Sequence, residues 1–159
     1  MVYICYNIRH SWVSRRQNID QGSVLKNHFK EVIMPLEIKV VKKKNYVYSV
    51  ELKGSIDTET SYQLEDELRE IIDEKTRAVI LNMGVVNYIS SAGIRAVIWA
   101  KKTLEQRNAT FAMIDLQPQI KKVFDVMRIL PMIDIFDDMP EADKYIDQII
   151  KEEIEKNNK

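Results

Sequence analysis

Residues 78–107 read AVILNM, then GVVNYIS, then SAGIRAVIWAKKTLEQR, and these three pieces decide the fold. The first is a short continuous apolar run, as expected of a strand covered on both faces. The third places Ile94, Val97, Ile98, Lys101 and Leu104 along one stripe at helical spacing. A buried strand that feeds an amphipathic helix is the repeating unit of an α/β sheet.

Reading outward from that unit, the same alternation recurs. Upstream, Leu36, Ile38 and Val40 alternate with Glu37 and Lys39, the period of a half-buried strand. A polar turn at Lys42, Lys43, Lys44 and Asn45 leads to a second β-rich run from Tyr46 to Leu52, so the pair is expected to form a hairpin that Gly54 stops. Residues 58–75 follow as a helix with Leu64, Leu68, Ile71 and Ile72 on one face. Downstream, residues 110–116 make another strand, and Pro118 opens a helix carrying Ile120, Val123, Phe124 and Met127. Residues 132–136 make a short strand. Pro140 then opens a last helix buried through Tyr145, Ile146, Ile149 and Ile150, before a charged tail (151–159) frays out. The order β-β-α-β-α-β-α-β-α predicts a single α/β domain over residues 34–150, with a mostly parallel sheet of about five strands packed by about four helices.

Residues 1–33 stand outside this pattern, mixing isolated aromatics with polar residues and lacking sustained periodicity. Lys30-Glu31-Val32 can be encoded as AAG-GAG-GTG, which contains a strong bacterial ribosome-binding sequence just upstream of Met34. The expectation is that Met34 starts the protein and that 1–33 is translated leader, with an N-terminal extension as the alternative.

Charge and composition exclude several classes of function. The chain has 24 basic and 24 acidic residues, a formal net charge of zero. The segment 1–33 has five basic against two acidic residues, leaving a mildly acidic body. No nucleic-acid partner is expected on that balance. No window approaches the roughly 18 apolar residues of a membrane span, so no membrane partner is expected either. Cys5 is the only cysteine, which rules out an intrachain disulfide and fits a cytoplasmic location.

Catalytic and cofactor motifs are missing too. There is no GxGxxG, no GxxxxGK[ST] and no HExxH, and both histidines, His10 and His28, precede the patterned region. No metal and no cofactor are expected. Glu65, Asp66, Glu67, Glu70, Asp73 and Glu74 read as the solvated face of their helix.

The segment with most to say is Asn87-Tyr88-Ile89-Ser90-Ser91-Ala92-Gly93-Ile94-Arg95. It follows the central strand and opens a helix, where α/β sheets gather binding sites and where free N–H groups favour an anion. On spacing alone, Ser90 or Ser91 is equally well a plain N-cap, and Gly93 a close-packing residue. A nucleophile elbow would need glycine two residues before the serine, where Ile89 stands instead. No domain histidine is available to activate the hydroxyl, so no enzyme is expected.

The stretch from Tyr88 to Arg95 resembles the signature of STAS domains, the family of bacterial anti-sigma factor antagonists. Gly54-Ser55-Ile56-Asp57 is similar to the family's G-x-[LI]-D, and Leu81-Asn82-Met83 to Val86 is similar to its "LDLS-x-V" strand. The resemblance covers about residues 34–150. It implies a partner switch in which the unmodified antagonist binds an anti-sigma factor serine kinase, phosphorylation ends the binding, and a PP2C-type phosphatase restores it. It also implies Ser91 as the phospho-acceptor and a partner surface of Asp57, Ser90, Ser91, Ala92, Gly93 and Arg95. Asp57 reads equally as a cap or first-turn acid of its helix. The sequence departs from the family pattern in two places: Ser90 stands where phospho-switched members carry Asp, and Asn82 replaces the strand's usual Asp. The alternative is a constitutive adaptor in a signalling or lipid-transport complex, with Ser91 only a cap. A small nucleotide-binding or hydrolytic protein is the third reading, and no phosphate-binding loop supports it.

Overall fold

The computed structural model describes residues 35–157, so the segment 1–33 and its expected start at Met34 lie outside the described residues. A single five-stranded sheet runs in sequence order, built from β1 (Glu37–Lys42), β2 (Val47–Ile56), β3 (Ala78–Ile89), β4 (Thr110–Ile114) and β5 (Asp134–Phe136). The first pair is antiparallel and the rest are parallel, as the alternation predicts. Helices α1 (Thr60–Ile71), α2 (Ser91–Gln106) and α3 (Pro118–Val126) connect the parallel strands, and α4 (Met139–Asn157) closes the domain.

Sequential parallel strands with crossovers of one hand put their helices on one face. Leu64, Leu68, Ile94, Val97, Ile120 and Phe124 accordingly bury one face of the sheet through Val50, Leu52, Val79, Leu81 and Met113. The other face is covered by α4, whose Ala142, Ile146 and Ile150 pack on Val47, Ala78, Ile80 and Ile114. Ala78 through Leu81 are fully buried, which is why that run contains no polar residue. The outer part of this second face stays open and polar: Lys39 pairs with Glu51 (3.0 Å) and Lys53 with Glu37 (3.1 Å), each directly across the β1–β2 ladder.

Several boundaries differ from the sequence expectation, each for a local reason. Gly54 does not stop the second strand. With φ of 112° it takes a conformation closed to most residues, and β2 continues to Ile56 across a register shift between Gly54 and Ser55. The strand expected over 78–83 runs on to Ile89, paired only with β2 once β4 ends opposite Asn82. The hairpin turn closes through Asn45 and Tyr46, both in the left-handed region. Pro131 holds Leu130–Met132 in a 3-10 turn, so β5 starts at Asp134 rather than Met132. The helix expected over 58–75 ends at Ile71. The charged tail does not fray at 151, because Lys151, Glu152, Glu153 and Glu155 are good helix formers and α4 continues through Asn157.

Candidate functional site

The long β2–β3 pair carries its ends well past the neighbouring strands, and the serine segment sits at that end. Ser90 ties the two strands to the helix. Its N–H donates to the Ile56 carbonyl (2.7 Å), its own carbonyl accepts from Ile94 N–H (2.9 Å), and its hydroxyl accepts from Gly93 N–H (3.2 Å). With extended backbone (φ −83°, ψ 168°), Ser90 is the N-cap of α2.

That settles which serine caps the helix. Ser90 spends its oxygen on the cap. Ser91 is the first helical residue and exposed, and its hydroxyl makes no hydrogen bond with the described residues. A helix start needs one capping side chain, so two adjacent serines leave the second free.

Gly93 is buried, and its position allows nothing larger. A Cβ there would lie 2.5 Å from Ile56 Cγ2, 2.9 Å from Ile89 Cγ1 and 3.1 Å from the Ile56 carbonyl. Its contribution to the site is to let α2 sit down on the strand ends. Ala92 is half-buried beside it, and Arg95 is exposed one turn along the helix from Ser91.

Asp57 lies in the adjoining loop, one residue after the carbonyl that holds Ser90. Its Oδ1 accepts from the N–H groups of Glu59 and Thr60 (2.9 Å each), and its own N–H donates to Thr60 Oγ1 (2.8 Å). The Thr60 backbone N–H, aided by the Thr60 hydroxyl and Glu59 N–H against a desolvation cost, holds the carboxyl below its ordinary value. Asp57 is therefore a cap of α1, although the helix proper begins at Thr60. Its half-buried carboxylate stands at the same end of the sheet as Ser90 and Ser91.

Sequence reasoning missed the supports. Ser55 is buried and donates to Asn87 Oδ1 (2.9 Å), bracing the strands at the register shift, and the Thr60 hydroxyl lies 2.9 Å from the Ser55 carbonyl. The Asp-x-x-Thr spacing was the available sign of the second. Asn82 sits away from the serine and its Oδ1 accepts from Gly84 N–H (2.9 Å), at the register shift in mid-β3.

The same carboxyl edge of the sheet has a second concavity, a shallow cleft of about 370 Å³ between the loops after β4 and β5, lined by Asp115, Gln117, Lys121 and Phe136 among others. It includes none of the residues around Ser91. No group of three or more carboxylates, histidines or cysteines capable of holding a metal occurs among the described residues. None of the described helices is long and apolar enough to cross a membrane.

Fold and site together define a class: an α/β domain wound in one sense, with an exposed serine heading the helix after its central strand. Residues 38–142 match the family model described as STAS domain, and the chain belongs to that family. A Bordetella bronchiseptica protein, BtrV, named as an anti-sigma factor antagonist, is 33% identical over 84 residues, covering 53% of this chain and 72% of its own length. Among solved structures, the anti-sigma factor antagonist SpoIIAA in its unphosphorylated form is similar at a TM-score of 0.62 and 18% identity, covering 72% of this chain and 97% of that one. The phosphorylated form of the Bacillus cell fate determinant SpoIIAA is similar at 0.58. A sulfate transporter family protein from Wolinella succinogenes also shares the fold, with a TM-score of 0.59 and 18% identity over 66% of this chain and 88% of that one.

Proposed function

We propose that this chain is a cytoplasmic anti-sigma factor antagonist that works by binding and not by catalysis. In its unmodified state it binds an anti-sigma factor that is itself a serine kinase, and phosphorylation of Ser91 releases it. In that step an Oγ–P bond forms at Ser91 as the terminal phosphoanhydride bond of ATP breaks. ADP leaves, and the hydroxyl proton passes to a base of the kinase. A PP2C-type phosphatase hydrolyses the ester and resets the switch.

The observation that carries this reading is the division of labour between the two serines. Ser90 holds the helix, so Ser91 presents an exposed hydroxyl that can be modified without breaking a cap. Asp57, Ala92 and Arg95 supply partner-facing chemistry around it, while Ser90 and Gly93 set the position of the loop. Relatives named as anti-sigma factor antagonists, and SpoIIAA solved in both phosphorylation states, support the same reading. A phosphoserine adds about −1.5 to −2 charges at neutral pH and faces the positive end of α2, so the domain tolerates it. At an interface the same charge is desolvated and unpaired, which is costly.

The occurrence of the fold in a sulfate transporter family protein favours a second reading, a constitutive adaptor without a phospho-switch. A pull-down of wild type and Ser91→Asp, compared by mass spectrometry with the phosphosite mapped, separates the two. The switch requires a kinase partner captured by wild type and lost from Ser91→Asp, with phosphate on Ser91. Equal capture by both, with no phosphate on the chain, rejects it in favour of the adaptor, and phosphate on Ser90 overturns the assignment of Ser91.

A further inference from the structure

Ser91 and Arg95 lie four residues apart on the exposed side of α2. In a helix that spacing stacks two side chains on one face, about 5–6 Å apart at Cβ. Arginine's planar fork matches the oxygens of a phosphate and can bond them in pairs. The Arg95 guanidinium makes no ion pair or hydrogen bond with the described residues, so its charge is uncommitted in the unmodified domain.

From this geometry we propose that Arg95 is the intramolecular clamp for the phosphate on Ser91. Phosphorylation then changes the partner surface twice, by adding negative charge at Ser91 and by withdrawing the one cation in the first two turns of α2. An unmodified chain offers Arg95 to an acidic group of its partner, and a phosphorylated chain offers neither the cation nor a neutral surface. This inference rests on Ser91 being the modified residue.

Of the carboxylates on the neighbouring elements, three already have partners. On α2 the only one is Glu105, nearly three turns beyond Arg95 and bonded to Lys101. On the packed helix α1, Glu65 pairs with Arg69, which itself lies over the Trp99 ring of α2 at 4.3 Å. Asp66, Glu67 and Glu70 complete the carboxylates of α1. In the adjoining loop Asp57 is engaged by the N–H groups of Glu59 and Thr60, which leaves the Glu59 carboxylate as the loop's other acid. Lys102, further along the exposed side of α2, lies more than two turns from Ser91 and serves as a control cation.

The test uses full-length protein carrying phosphoserine at position 91, installed synthetically so that no kinase is needed. Phosphorus NMR follows the second ionisation of the phosphate across pH 4–8. Arg95→Gln should raise its midpoint by about 0.3 unit or more, whereas Arg95→Lys should retain most of the wild-type value and Lys102→Gln should leave it in place. Because Arg95 is exposed, these variants should keep the wild-type circular dichroism. A midpoint unmoved by Arg95→Gln overturns the clamp. The partner assay is scored separately. If the phosphorylated chain still binds its anti-sigma factor, the switch fails while the titration continues to report on the clamp. If binding is lost and the titration does not respond to Arg95, the clamp alone falls.

Discussion

Two turns of this molecule are built alike and placed differently. In Asp57-Thr58-Glu59-Thr60, the Asp Oδ1 accepts the N–H of Thr60 (2.9 Å) and of Glu59 (2.9 Å), and Asp57 N–H donates to Thr60 Oγ1 (2.8 Å). In Asp73-Glu74-Lys75-Thr76, the Asp Oδ1 accepts from Thr76 (2.9 Å) and Lys75 (2.8 Å), and Asp73 N–H donates to Thr76 Oγ1 (3.1 Å). Each threonine hydroxyl reaches back five residues to a carbonyl, of Ser55 in one turn and Ile71 in the other. The first turn enters α1 at the carboxyl end of β2. The second leaves α1 and returns the chain to the start of β3. Hydrogen bonding therefore gives Asp57 no distinction of its own. What sets it apart is that the chain just before it carries the carbonyl holding Ser90.

The largest effect that separates the two ends is on partner binding. A negative charge at the serine end, Ser91→Asp, should weaken binding to the anti-sigma factor about 100-fold, or about 2.7 kcal/mol, by calorimetry. The same sign of change at the other turn, Lys75→Glu, should leave the affinity within about twofold, since that end of α1 faces away from the serine. Comparable losses from both would mean that the interface is not confined to the carboxyl edge.

Packing tolerance should differ as well. Gly93→Ala forces a methyl group against fully buried Ile56 and should cost about 1–3 kcal/mol in urea unfolding. Exposed Glu74, in the second turn, should accept alanine within about 0.5 kcal/mol. A Gly93→Ala variant as stable as wild type would show that α2 can lift from the strand ends, and the site would lose its argument for a fixed position.

A smaller effect tests the likeness itself. Asp57→Ala and Asp73→Ala should each lower stability by about 1 kcal/mol, the usual value of a side-chain cap, and by similar amounts. If Asp57 also meets the partner, only its alanine variant will lose affinity beyond what the shared destabilisation explains. Equal losses of affinity would reduce Asp57 to a cap.

Much of this architecture is legible in the residues, and the exceptions have physical reasons. The run AVILNM reads as a strand covered on both faces, and the stripe Ile94, Val97, Ile98, Lys101 and Leu104 does pack inward, with Ile98 half-buried and with Lys101 buried and its ammonium bonded to Glu105. Glycine misleads in β2, because a breaker by propensity is also the residue that lets a strand absorb a register shift at positive φ. The far half of β3 is illegible because Gly84 and Asn87 interrupt the alternation, and a strand paired on one side needs no continuous apolar run. The serine pair is ambiguous by spacing, since either hydroxyl can cap a helix. Ser90's extended backbone and the Gly93 N–H resolve it. Asp73 reads as one of six carboxylates on a solvated face, yet it closes a turn, and the threonine three residues on is what distinguishes it from Glu74. The resemblance to STAS domains, and not periodicity, supplies the identity of the site.

The smallest difference concerns protons. Backbone N–H groups hold both turn carboxyls below their ordinary values, that of Thr60 foremost for Asp57 and that of Lys75 foremost for Asp73. An acid whose folded pKa is depressed stabilises the fold above its unfolded value of about 3.9, and that contribution is lost as pH falls through the folded value. Glu67 acts in the opposite sense. Burial foremost, with Glu70 and Asp66 beside it, raises its pKa, so protonation on acidification relieves the fold. Urea midpoints measured from pH 6 down to pH 3 should therefore fall for wild type and fall less steeply for Asp57→Asn with Asp73→Asn, since asparagine keeps the accepting oxygen without the titrating charge. Glu67→Gln should steepen the wild-type decline. The two asparagine substitutions should flatten the curve equally when made singly, because the turns share one bonding pattern. A decline unchanged in the double variant would mean that the acid sensitivity arises elsewhere. A flattening from Asp57→Asn alone would break the likeness between the turns, and would show that the neighbourhood of Ser90 reaches the Asp57 carboxylate through more than its own loop.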